Sequence, residues 1–172
     1  MPRGAVMLLG ALLLVHAGPA LAADPEVAGL QVALASRRLY AGAIDGVAGA
    51  ATTSAVRSLQ RQVGLPVDGE AGPATHDALG RLGRPLFGTR PIKRGMVGLD
   101  VSVLQFLLAH GGYYRGALDG YFGPRLLGAL RAFQRRRSLS IDGIAGPNSP
   151  RAPARLSGAS PGRTSSTRVR FC

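Results

Sequence analysis

The chain has 172 residues, a formal net charge of +12, no tryptophan and a single cysteine, which is residue 172 itself. That cysteine count excludes an intrachain disulfide and any lipid-anchor cysteine behind a leader, so stability must come from packed cores. Residues 24–148 carry 15 basic and nine acidic side chains, a balance of 15 − 9 = +6, and the tail adds five arginines; such a surface suits polyanions, although an arginine-rich composition alone explains it as well.

Residues 1–23 read as a secretory signal. Arg3 gives a positive start, residues 5–15 form an uncharged apolar run, and Ala20-Leu21-Ala22 places small residues where signal peptidase cuts. The run is about half of the roughly 20 apolar residues that a membrane span requires. The expected location is therefore secreted: extracellular, periplasmic or cell-wall associated, with no membrane span after cleavage.

Residues 27–75 recur without a gap at residues 101–149, with 21 of the 49 aligned pairs identical. An internal duplication of this kind fixes the architecture before any propensity is consulted. Within the first copy, Val27, Leu30 and Leu34 recur at i, i+3 and i+7 on one helical face. A turn follows at Asp45-Gly46, and Ala55, Val56, Leu59 and Val63 mark a second helix. After a second turn at Asp68-Gly69, a third, shorter helix is expected from about Thr75 through Leu82. No stretch alternates with period two, so strands are not required.

Both turns have the form D-G-x-x-G. The aspartate accepts from backbone amides just ahead of it, and glycine takes the positive φ that the turn demands. Thr52 and Thr75 then read as N-caps, and the apolar residues Ile44, Val67, Leu118 and Ile141 read as pins holding each loop to its core. Asp45, Asp68, Asp119 and Asp142 could alternatively serve acid-base or cation chemistry, but each sits singly, so the structural role is preferred. Residues 84–95 read as a linker. In the second copy Leu126 replaces Thr52, and Pro153 argues against a third helix there; residues 151–172, rich in Ser, Pro, Gly and Arg, read as a disordered basic tail.

Beyond the leader, the histidines His76 and His110 do not occupy matching positions. No zinc-binding histidine pattern, nucleophile turn or cysteine-histidine pair occurs, so neither catalytic residues, metal nor cofactor is expected.

Taken jointly, the Leu-Gln pairs, the tyrosine-containing stretches and the paired D-G-x-x-G turns resemble the peptidoglycan-binding domain family. The resemblance implies an all-α fold of two tandem small three-helix bundles, the second left incomplete, with repeat one at 24–83 and repeat two at 96–150. It implies a non-catalytic protein that grips peptidoglycan glycan strands or stem peptides through two weak modules, and a monomer is expected. Aromatic rings stack on sugar faces and guanidinium groups pair with carboxylates, so the candidate contacts are Tyr40, Arg37 and Arg38 in repeat one and Tyr113, Tyr114, Arg115, Tyr121 and Phe122 in repeat two. Tyr40 and Tyr114 read equally as plugs beneath the loop, and Gln60 and Gln134 as donors bracing it. Two other functions compete: the targeting portion of a cell-wall hydrolase whose catalytic domain is missing, and a basic interaction protein that binds anionic polymers; no nucleic acid partner is expected.

Overall fold

The computed structural model describes residues 23–146; the expected signal segment, the expected disordered tail and the segment where a third helix of repeat two would start lie outside the described residues. The described residues form five α-helices: α1 (Pro25–Ser36), α2 (Ala50–Val63), α3 (Pro73–Ala78), α4 (Leu99–His110) and α5 (Pro124–Arg136). Among the described residues there is no strand, only two isolated bridges, Ile92 with Ala145 and Val97 with Tyr121. The fold is all-helical. α1 starts where Asp24 accepts from the Glu26 amide at 2.8 Å, with Pro25 at the first helical position, where its missing amide costs nothing.

The helix starts after the turns correct the capping expectation. The N-caps are Gly49 and Gly72, without side-chain bonds, and Thr52 and Thr75 are the third residues of α2 and α3. Both threonines point inward and are buried. α3 also ends before Leu82: Gly80 adopts φ +66° and the chain continues as a single 3₁₀ turn, Gly80–Leu82.

Each repeat has its own core. In repeat one Leu30, Leu34, Ala55, Val56, Leu59 and Leu79 pack together. In repeat two Val101, Leu104, Leu108, Leu130 and Phe133 do the same, and Leu126, at the position of Thr52, joins them. Ile44 and Leu118 pack on these cores as expected. The pins at the second turns do not: Val67 is 46% and Ile141 47% exposed, and Val63, at the end of α2, is 42% exposed. Those turns are held by polar groups instead.

Helices α1 and α4 are buried on more than the one face that periodicity suggests. Ala28 and Val32 on α1, and Leu99, Val103 and Phe106 on α4, are buried yet belong to neither core. They form a third layer, because α1 packs against α4 more extensively than any other pair of elements in contact. A β-carbon added at Gly29 would lie 3.1 Å from both Leu99 Cγ and Val103 Cγ2. The two copies differ there in a complementary way: α1 offers Ala28, Gly29 and Val32 where α4 carries Ser102, Val103 and Phe106. Small side chains on one helix receive large ones from the other.

The stretch 84–95 is tied down on both sides. The Phe87 amide donates to Glu26 Oε1 at 3.2 Å, the Asp100 amide donates to Pro85 O at 3.1 Å, and Ile92 is buried in the core of repeat two. Arg90 makes a two-point contact with Asp100, Nε to Oδ2 at 2.7 Å and Nη2 to Oδ1 at 3.2 Å. The Asp100 side chain is only 1% exposed, so this guanidinium supplies the counter-charge that a buried carboxylate requires.

Candidate functional site

Four buried glutamines organise the turns. Gln31 Oε1 accepts from the amides of Asp45 and Gly46, each at 3.0 Å. Its Nε2 lies 2.8 Å from Asp45 Oδ1, 3.1 Å from Val47 O and 3.2 Å from both Tyr40 Oη and Thr52 Oγ1, so two hydrogens are shared among four acceptors. Gln105 repeats the arrangement with Asp119, Gly120 and Tyr121 O and with the Tyr114 hydroxyl, but with Leu126 in place of Thr52 the second hydroxyl has no counterpart. Gln60 and Gln134 brace the second turns in the same manner, donating to Asp68 Oδ1 at 2.6 Å and Asp142 Oδ1 at 2.8 Å. The bracing role expected for these two glutamines is what the structure shows.

The turn carboxylates are thereby occupied. Each aspartate accepts from the amide two residues on: Val47, Glu70, Tyr121 and Ile144. The Gln31 amide, then the Val47 amide, hold the Asp45 carboxyl below its usual range; for Asp68 the Glu70 amide dominates and for Asp142 the Ile144 amide. A carboxylate held ionised in this way is a poor general acid. Gly46 and Gly120 adopt φ +73° and +72°, and a β-carbon on either would collide, with Asp24 O in one copy and Leu82 Cδ2 in the other.

The candidate contacts separate into buried and accessible groups. Tyr40 (9% exposed) and Tyr114 (8%) lie in the cores and their hydroxyls donate to Ala43 O and Ala117 O, closing the loop over themselves. Phe122 is fully buried and has no ring face to present. Arg37 is exposed, with Nη2 donating to Ala78 O at 2.7 Å, which ties the end of α1 to α3. Arg38 is exposed and adopts φ +59° just beyond α1. Arg115 is exposed as well.

Tyr121 and Tyr113 remain accessible, and they face different grooves. Tyr121, 48% exposed, lines an open groove of about 380 Å³ with Asp119, Pro124, Arg125 and the edge of Tyr114. Tyr113 stands edge-on to Phe133, ring centroids 5.4 Å apart, beside a second open groove of about 520 Å³ with Arg135 and Arg136. Each groove joins an aromatic ring to guanidinium groups, which suits a ligand bearing sugar rings and carboxylates. Arg125, Arg135 and Arg136, at the two ends of α5, are not among the sequence candidates. In repeat one the positions of Tyr121, Pro124 and Arg125 hold Val47, Ala50 and Ala51, so the ring and the charge are both missing there.

The two histidines of the described residues lie apart, His76 in α3 and His110 at the end of α4. His76 lies half-buried in α3, with burial pushing its imidazole pKa down and no partner for Nδ1. Among the described residues no group of three or more His, Cys, Asp or Glu side chains could hold a metal ion, and no helix is long and apolar enough to cross a membrane.

Buried glutamines under D-G turns, small cores and shallow open grooves define a compact helical binding module present in two copies. Each copy matches the model of the putative peptidoglycan binding domain, over residues 23–79 and 97–149, and the chain belongs to that family. Among curated relatives it is 40% identical over 115 residues to N-acetylmuramoyl-L-alanine amidase CwlM of Mycobacterium tuberculosis, covering 62% of this chain and 28% of that one. It is 36% identical over 117 residues to N-acetylmuramoyl-L-alanine amidase CwlL of Bacillus licheniformis, covering 55% of this chain and 32% of that protein. To the spore cortex-lytic enzyme of Bacillus cereus it is 45% identical over 60 residues, 35% of this chain and 23% of the relative. The chain thus spans about a quarter to a third of the length of these relatives. No solved structure matches it significantly.

Proposed function

We propose that this protein is a non-catalytic, secreted binder of bacterial cell-wall peptidoglycan, working outside the cytoplasm through units at 24–83 and 96–150. The observation that carries this reading is the match of both repeats to the peptidoglycan binding domain. Repeat two is the main contact surface. Tyr121 stacks on a sugar ring, and Arg125 beside it takes a carboxylate of the stem peptide; Tyr113, Arg115, Arg135 and Arg136 supply a second contact, and Arg37 and Arg38 a weaker one from repeat one. Two weak contacts on one immobile polymer reinforce each other, because the second forms intramolecularly.

Sedimentation of the mature protein with purified sacculi tests the reading. Most of the protein should pellet at moderate salt, and Tyr121→Ala should weaken retention about fivefold or more, in line with the loss of one stacked ring. Recovery of the wild type in the supernatant would refute it. Since the relatives carry names of wall-lytic enzymes, a second reading makes this chain the wall-targeting part of such a hydrolase. Lysis of sacculi by a longer gene product, and not by these 172 residues, would favour that reading.

A further inference from the structure

The junction between the repeats holds five basic residues and no acidic one between positions 78 and 99. Three of them, Arg81, Arg84 and Arg90, line one open groove of about 580 Å³, with Pro85, Met96 and Val97 as its apolar part. Two of the three guanidiniums are held by carboxylates. Arg84 Nε donates to Asp77 Oδ1 at 2.6 Å, with Nη2 3.4 Å from Pro73 O, and Arg90 is fixed by Asp100 and by Val97 O at 3.2 Å. These bonds engage Nε and Nη2 of each, which leaves both Nη1 groups with hydrogens to donate. Arg81 has no hydrogen-bond or ion-pair partner for its guanidinium among the described residues. Side chains fixed in this way lose little freedom when a ligand arrives.

We infer that this groove is a binding site for an anionic segment of a wall polymer, recognised through its carboxylate or phosphate oxygens, and that it exists only in the tandem. Arg81 comes from the 3₁₀ turn of repeat one and Arg84 leans on α3, whereas Arg90 is anchored to α4 and Met96 and Val97 lead into it. Neither repeat alone contains the set. Asp77 and Asp100 offset part of the charge, and their role is to orient the guanidiniums. The identity of the polymer rests on the peptidoglycan reading above; the anion chemistry does not.

The experiment compares the full mature chain with its R81Q/R84Q variant. Arg90 is left in place because Asp100 depends on it, and the Arg84 ion pair is exposed enough that its loss should leave the thermal midpoint nearly unchanged. Poly-L-glutamate is titrated against both proteins while backbone amide shifts are followed. The inference expects wild-type shifts at Gly95, Met96 and Val97, and at least a fivefold weaker response there in the variant. Shifts confined to other sites, or equal responses in both proteins, would overturn it. On sacculi at low salt the variant should bind several-fold more weakly and with a shallower salt dependence. Sacculi stripped of phosphodiester polymers separate the two anion sources: a wild-type advantage that persists assigns the groove to peptide carboxylates, and one that vanishes assigns it to phosphates. If the wild type ignores sacculi yet shows the glutamate shifts, the peptidoglycan reading fails while the groove stands.

Discussion

The two repeats share a turn mechanism and differ in what surrounds it. In repeat one the buried amide of Gln31 meets two hydroxyls, those of Tyr40 and Thr52, and the outer surface of the loop is plain, with Val47, Ala50 and Ala51. In repeat two the hydroxyl of Thr52 is replaced by Leu126, which is buried in the core, and the outer surface gains Tyr121, Pro124 and Arg125. Polar bracing was exchanged for apolar packing under the loop, while ring and charge were added above it. The positions kept in both copies build the turn, and the positions that changed set the proposed contact surface of repeat two apart from repeat one.

The largest effects should come from the shared hub. Gln31→Met and Gln105→Met each strip a partner from two loop amides, for an expected loss of about 3 kcal/mol at roughly 1 to 3 kcal/mol per orphaned group. The Gln31 change should cost up to about 1 kcal/mol more, since the Thr52 hydroxyl, which has no counterpart in repeat two, also loses a donor. Urea denaturation measures both; losses below about 1 kcal/mol would mean that the glutamines are not what holds the turns.

A smaller effect is expected where the copies meet. Gly29→Leu forces side-chain atoms into space held by Leu99 and Val103, and overpacking of this sort costs about 2 kcal/mol. If α1 and α4 form a continuous core, the variant should lower the unfolding midpoint of the whole chain as one transition. Unchanged stability, or loss in repeat one alone, would contradict that packing.

The smallest predicted change is a gain. Arg38 and Ser138 adopt φ +59° and +52° at the positions where the other copy has Gly112 and Gly64. A left-handed conformation costs a side-chain-bearing residue about 1 kcal/mol, so Arg38→Gly and Ser138→Gly should each raise stability by about that amount in thermal unfolding. Exchanging in the opposite direction, Gly112→Arg or Gly64→Ser, should lower it by a similar amount.

Sequence alone conveyed much of each repeat, because periodicity and D-G turns are local signals. Leu30, Leu34, Leu59 and Leu130 fall in the cores that their spacing implies, and the four glutamine-aspartate pairs reflect a repeated contact. Thr52 and Thr75 read as caps because a threonine ahead of a helix usually is one, but the glycine three residues earlier already starts the helix, which turns the hydroxyl inward. Val67 and Ile141, like Ile44 and Leu118, read as pins because each precedes a turn aspartate, but at the second turns the side chain is about half exposed. The layer between α1 and α4 was not legible, since helix periodicity identifies one apolar face and gives no hint which distant helix covers a second. Arg125, Arg135 and Arg136 were missed for a related reason: on a basic chain an arginine on a helix carries no signal until a neighbouring ring gives it a site.

The fit of Gly29 against Leu99 and Val103 has an evolutionary consequence. Two identical copies could not have made this contact as it stands, because a second Val103 in place of Gly29 would fill the hollow that the first one needs. Reverting either helix to its twin's residue, Gly29→Val or Val103→Gly, would therefore lose the fit of socket and plug. The two copies are thus not interchangeable at this contact, although they share a common ground plan.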